Sequence, residues 1–274
     1  MTLPRSAAPA SRHAASKAIP FTGLWVALVF ALLASAGTGQ LAIPPSEVLG
    51  SLLQPIGINW FPLPTHPAGD QTLWAIRFPR VVMAALVGAG LAVAGLLMQA
   101  VFGNPLAAPG VIGVSSGAAV GAGLSIVFGL TFFGEWTTAV FAFIAGLGAT
   151  LLVYFMSRAD GKTEVVTLVL TGIAVNAIAG AAIALLTFLG DTQSREQIVF
   201  WQLGSMAGSR WSQVIIVAPV IALGLLISYM VARKLDLLSL GERNARHLGV
   251  NVEVLRIGVI VLVSLLVGAA VAFA

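Results

Sequence analysis

The chain has 274 residues, 58% of them hydrophobic and only 9% charged. Soluble domains carry about 25% charged residues, so a soluble globular protein is excluded, as is intrinsic disorder, which needs low hydrophobicity. There are no cysteines, which removes disulfides, thiol nucleophiles and thiolate metal sites, and the formal net charge of +4 comes from 14 basic and 10 acidic residues.

A membrane-crossing helix needs about 20 mostly apolar residues. On that measure the chain reads as a tail over 1–20 and a transmembrane domain over 21–274 with seven spans. The tail carries Arg5, Arg12 and Lys17, and the first span follows at 21–43. A proline-rich connection occupies 44–76. No charge occurs between Arg80 and Glu135, a length that suits two spans. The breaker-rich segment Gly103–Gly110 divides it into 81–102 and 111–133. Further spans follow at 136–157, 165–189, 211–232 and 257–274. Residues 197–209 are charge-free but too few to cross, which predicts a short interfacial or re-entrant helix. In the connection 233–256, Ser239-Leu240-Gly241-Glu242 has capping-box form and Gly249 reads as a helix-ending left-handed residue. This predicts a helix over about 240–248, with Leu240, Ala245 and Leu248 apolar and Glu242, Arg243 and Arg246 charged. Such a helix either lies on the membrane surface or plugs a partner's groove.

With the N-terminus in the cytoplasm, ten of the 14 basic residues fall on the inside. Arg77, Arg80, Arg195 and Arg210 fall outside. That is the bias expected of a membrane protein.

Several patterns resemble catalytic motifs. Residues 113–117 match G-x-S-x-G, but the three histidines, His13, His66 and His247, lie outside the predicted spans, and Ser115 opens a helix rather than ending a strand. Gly113, Gly117 and Gly121 are four apart and read as a packing stripe. Gly161-Lys162-Thr163 resembles the end of a P-loop, yet Met156 stands where that motif needs glycine. The predicted spans hold no Asp, Glu, Lys, Arg or His, which argues against a proton- or sodium-driven mechanism. For Gln99, Ser125, Thr171, Asn176 and Thr187, interhelical hydrogen bonds are the plainest account. No catalytic residue, metal site, bound cofactor or nucleic-acid partner is expected.

Arg77 and Arg80 flank Pro79 where the second span begins. Both oppose the charge bias and the helix dipole. Snorkelling to headgroups is one account; docking of an acidic protein surface from outside is the preferred one.

These segments in this order resemble the FecCD-type permease family, the membrane subunits of binding-protein-dependent ABC importers for iron–siderophores, haem and cobalamin. The resemblance covers about residues 20–274. It rests on Arg77-Phe78-Pro79-Arg80, the stretch Gly88 to Gln99, Asn104-Pro105-Leu106-Ala107-Ala108-Pro109 followed by Gly113-Val114, Trp201-Gln202-Leu203-Gly204-Ser205, and Leu240-Gly241-Glu242-Arg243-Asn244-Ala245-Arg246-His247-Leu248-Gly249. It implies an all-α polytopic bundle of the type II importer fold, in the bacterial inner membrane. Arg77 and Arg80 would meet an extracytoplasmic binding protein. Leu240, Gly241, Glu242, Arg243, Ala245, Arg246, Leu248 and Gly249 would rest in a cleft of a cytoplasmic ATPase, which alone holds ATP and magnesium. Thr171, Asn176 and Gly180, with Gly204 and Ser205 after the fifth span, would line or gate the pathway beside a second permease copy or paralogue. Pro79, Gln99, Asn104, Pro105, Pro109, Gly113 and Gly117 belong to the family's structural motifs. Members of the family usually have about ten spans, so the seven read here suggest a truncated form. The rival readings are a carrier or channel without an ATPase, and an intramembrane serine hydrolase at Ser115.

Overall fold

A computed structural model describes residues 10–159 and 162–273. Residues 1–9 of the expected tail, and Ala274 at the end of the expected seventh span, lie outside the described residues. Apolar runs this long fold as helices, because in hydrocarbon the backbone groups find partners only within their own segment. The chain divides into two compact units, the first running to Val81 and the second from Val82.

The first unit opens with α1 (Ala10–Gly37), so part of the expected tail is helical. Its apolar stretch ends at Gly37 rather than at residue 43. The backbone turns there: Gly39 has a φ of 147°, and the Ile43 amide returns to the Gly37 carbonyl at 3.1 Å. The expected external loop is not bare. It contains α2 (Pro45–Leu53), with proline in the first turn, where its missing N–H costs nothing. Glu47 of α2 accepts hydrogen bonds from the amide and hydroxyl of Thr65, both at 3.2 Å, and Ser51 donates to Asp70. The loop is thereby folded back onto α2.

The second span starts earlier than position 81. A short helix α3 (Gly69–Thr72) runs through a π-helical turn at Leu73–Arg77 into α4 (Phe78–Phe102). Pro79 has no N–H to continue the i→i−4 ladder. The wider turn is the usual local answer to such a break, and the Phe78 amide bonds five residues back, to Leu73.

The second unit contains the rest of α4 and then α5 (Val114–Val127), α6 (Thr137–Met156), the two-residue antiparallel strands β1 (Arg158–Ala159) and β2 (Lys162–Thr163), α7 (Val165–Leu189), α8 (Thr192–Leu203), α9 (Trp211–Leu238), α10 (Glu242–His247) and α11 (Val252–Val271). Among the described residues six helical runs are long and apolar enough to cross a membrane, one fewer than the seven expected. The exception is 111–133. Its helix has only 14 residues, about 21 Å against a hydrocarbon core of about 30 Å. Pro109–Ile112 forms a 3₁₀ turn, and Gly113, at φ 79°, stops it from running straight into α5. Gly129, at φ 58°, follows its other end.

α11 is the centre of this unit: 67% of its apolar window is buried, against 22% for α7. Val259, Ile260, Val263 and Leu266 of α11 pack in one core with Met83, Met98, Ile112, Val153 and Ile221. Gly117 and Gly121 do what the spacing of the stripe predicts, whereas Gly113 is the left-handed residue before α5 and has only ordinary contacts. A Cβ on Gly121 would lie 2.2 Å from the Phe141 carbonyl oxygen, and one on Gly117 2.5 Å from the Ala149 methyl. Helices α5 and α6 therefore meet almost backbone to backbone.

Candidate coupling and pathway sites

Helix α9 continues to Leu238, past the expected end of its span at 232, so the connection before α11 is shorter than expected. The capping box is not formed. Gly241, at φ 97°, is the N-cap of α10, and the Ser239 hydroxyl donates back to the Asp236 carbonyl at 2.6 Å. Glu242 is freed from capping and binds arginines instead. It accepts from Arg246 at 3.3 Å on its own helix and from Arg256 on α11. The expected stop is present: Gly249 has a φ of 85°, its amide bonds the Arg246 carbonyl at 3.0 Å, and the Val250 amide bonds the Ala245 carbonyl at 3.0 Å.

Ala245 is fully buried, in one cluster with Leu235, Leu238 and Val250. It pins the single α-helical turn by its inner side. Arg243 and Arg246 are exposed, and Leu240 and Leu248 are each 58% exposed at its two ends. Two solvated leucines bracketing two arginines form a face that is cheap to cover with a groove carrying acidic groups.

The arginine pair is placed differently from the expectation. Arg77 is buried. Its guanidinium donates to the carbonyls of Ala36 at 2.7 Å, Gly37 at 3.0 Å, and Leu41. Those are carbonyls at the end of α1 and just past it, which have no intrahelical partner. In this placement the fork expected to meet an outside carboxylate is spent on carbonyls inside the unit. Arg80 is partly buried.

The Asn-Pro-Leu-Ala segment is a turn: Asn104 Oδ1 accepts from the Leu106 amide at 2.9 Å, a local bond typical of asparagine. The 3₁₀ turn after it is held by α7. Asn176 Nδ2 donates to the Gly110 carbonyl at 3.1 Å, and the Ser116 hydroxyl donates to Asn176 Oδ1 and to the Gly113 carbonyl. Asn176 thus latches the turn at Pro109–Gly113 rather than presenting a free amide. Thr171 is half-buried on α7, and Gly180 is exposed with nothing near it. Gly204 and Ser205 form the exposed turn after α8, where Ser205 Oγ accepts from the Ala207 amide. Ser115 sits in the first turn of α5, so the nucleophile elbow is absent. Among the described residues no three His, Cys, Asp or Glu side chains gather as a metal site.

The short helix expected at 197–209 begins at Thr192 and is capped by Asp191, whose carboxylate accepts from the Ser194 amide at 2.8 Å. That amide holds the Asp191 pKa below its ordinary value of 3.8. The folded state therefore favours the ionised form. This contribution is complete above the ordinary value and is lost as pH falls through the lowered one. Asp191→Asn, which keeps an accepting oxygen, should leave the start of α8 insensitive to acid as pH falls below 3.8, where the wild-type cap is lost. Hydrogen exchange of the amides at 192–195 checks this.

Sequence reasoning missed Arg256, Glu253, Thr163, Ser116 and Gly172. Arg256 had a signal: a cation in the N-terminal half of a helix, directly before a long apolar run, opposes the dipole and needs carboxylates nearby.

Comparison with known proteins places these features in a group. The profile of the FecCD transport family matches residues 27–274. The hemin transport system permease HmuU of Yersinia pestis is 40% identical over 200 residues, covering 72% of this chain and 60% of the relative. The molybdate import permease MolB of Haemophilus influenzae is 34% identical over 251 residues, covering 91% of this chain and 72% of the relative. The vitamin B12 import permease BtuC of Yersinia pseudotuberculosis is 32% identical over 253 residues, covering 92% and 70%. A solved inward-facing structure of a metal-chelate type ABC transporter superposes with a TM-score of 0.77 at 33% identity, covering 92% of this chain and 74% of that one.

Proposed function

Because the chain belongs to the FecCD transport family, we propose that it serves as the membrane-spanning permease of a binding-protein-dependent ABC importer, with ATP and magnesium held by a separate ATPase. It spans the bacterial inner membrane many times, with its N-terminus and α10 in the cytoplasm. It has no catalytic residues of its own and moves ligand by alternating access. The observation that carries this reading is α10: a short helix pinned by Ala245 whose outward face combines Leu240, Arg243, Arg246 and Leu248.

The ligand class is a metal chelate, either an iron–siderophore or a metallo-macrocycle such as haem or cobalamin. The relatives that carry hemin and vitamin B12, and the metal-chelate transporter, support it. So does α7, whose exposed flank of Val166, Leu170, Ile173, Ile178, Leu185 and Phe188 offers an apolar wall without charges. A second permease copy or paralogue covers that flank. An extracytoplasmic binding protein docks from outside, and Arg80 is the member of the arginine pair retained for that contact.

The test is co-purification with the transporter's ATPase. Arg243→Glu combined with Leu248→Glu should reduce the retained ATPase at least about tenfold, since a reversed charge and a buried carboxylate each cost on the order of 2 kcal/mol at an interface. Retention at the wild-type level would overturn the docking assignment. Uptake into proteoliposomes, with hemin, a ferric siderophore, cobalamin and molybdate compared, separates the ligand classes.

A further inference from the structure

Arg256 is 1% exposed, yet it is a full charge in the first half of α11. Its Nη1 donates to the Thr163 carbonyl at 2.8 Å and to Glu253 Oε1 at 3.2 Å, and its Nη2 donates to Glu242. The second oxygen of Glu253 accepts from the Thr163 amide at 3.2 Å and from the Thr163 hydroxyl at 2.9 Å. The second oxygen of Glu242 accepts from Arg246. Two arginines and two glutamates thus close a neutral cluster on three separate pieces of chain. Glu242 belongs to α10, Glu253 and Arg256 to α11, and Thr163 to the β1–β2 hairpin, two residues before α7 begins.

We infer that Arg256 is a positioning residue for energy coupling: it makes α10, the hairpin and the start of α11 a single joint, so that a displacement of α10 is delivered to α7. The inference rests on the reading of α10 as the ATPase contact. Three observations support a joint rather than a fixed core ion pair. The Glu242 side chain is 47% exposed, so the bond that ties α10 to the joint can be released from the solvent side. Arg256 Nε is buried without a partner among the described residues, and an unpaired buried donor favours any rearrangement that supplies an acceptor. The load also ends on a light element, since α7 is the least enclosed span of the second unit. Coupling needs an element with two arrangements that a ligand can bias, and a guanidinium shared among three acceptors can redistribute its bonds without leaving its site.

The test is hydrogen exchange on the full chain in complex with its ATPase, with and without a non-hydrolysable ATP analogue. In the wild type, exchange in 240–249 and in 157–168 should change together on nucleotide binding, each by about tenfold. In Glu242→Gln and in Arg256→Met, segment 240–249 should keep its response, and 157–168 should lose it by at least about fivefold. A purely structural Arg256 would alter the resting exchange of 157–168 and leave its nucleotide response unchanged; that result would overturn the inference. So would a wild type in which 157–168 never responds while 240–249 does, or a Glu242→Gln chain that releases the ATPase. If Arg256→Met does not fold, the isosteric Glu242→Gln decides alone. A wild type that retains no ATPase would remove the reading beneath this one as well, and co-purification separates that failure from the others.

Discussion

Gly172→Ala should be among the most damaging single methyl additions to this chain. A Cβ at Gly172 of α7 would sit 1.8 Å from the Val111 carbonyl oxygen. The obstacle is backbone, so no side chain can rotate away. Either α7 or the Pro109–Ile112 turn must retreat by more than an ångström, and the Asn176 bond to Gly110 holds both in place. Overpacking usually costs about 1–3 kcal/mol, and this contact lies at or beyond the upper end. The expected fall in apparent midpoint is about 6–12 °C, measured in detergent by fluorescence-detected gel filtration after heating. Gly180→Ala is the matched comparison. It is on the same helix, with nothing within 4 Å, and should hold the midpoint or raise it, since alanine favours helix over glycine. Equal behaviour of the two variants would mean that the close approach of α7 to the turn does not exist.

Arg77→Ala should destabilise the first unit by about 3 kcal/mol or more. It strips the carbonyls of Ala36 and Leu41 of their side-chain donor, leaves the Gly37 carbonyl with the Ile43 amide alone, and leaves the space of a long side chain empty. Hydrogen bonds from a charged donor are worth about 1.5–3 kcal/mol each, and orphaned buried acceptors carry the full desolvation penalty. Arg77→Lys should rescue only part of this, because an ammonium cannot present a planar fork to carbonyls in three directions. Protease sensitivity across 38–44 reports the loosened end of α1, and both variants should raise it. A binding-protein contact makes a different prediction. Arg77→Lys would then leave protease sensitivity unchanged and weaken docking at low salt. Gly39 adds an independent check: a Cβ there would lie 2.8 Å from Arg77 Nη2, so Gly39→Ala should mimic a mild form of the same defect.

Span identity was legible from the spacing of charges, because a crossing helix excludes them and the chain has few to misplace. The bounds were less legible, and the reasons are local. The helix through Pro79 begins at Gly69 because a π-helical turn absorbs the proline, and nothing in the composition announces that turn. The stretch 111–133 has the apolar length of a span, but its helix stops at 14 residues, and the left-handed glycines that bound it look in sequence like the packing glycines beside them. Helix α10 was visible from Gly249 and from its charge pattern. Its N-cap was misread because Ser239 and Glu242 fit a capping box, while a buried arginine fourteen residues on competes for the same glutamate. Arg77 shows the limit most clearly. Its charge and place on the second span suggested an outward role, and only the folded turn after α1 reveals the three carbonyls to which it donates.

The uncovered flank of α7 has a practical corollary. A protein surface that packs against Val166, Ile173 and Phe188 needs the folded helix face, so it binds the folded chain in preference to the unfolded one and contributes to its heat resistance by mass action. Melting curves of this chain will therefore shift with protein loading, and values taken at one dilution will not transfer to another.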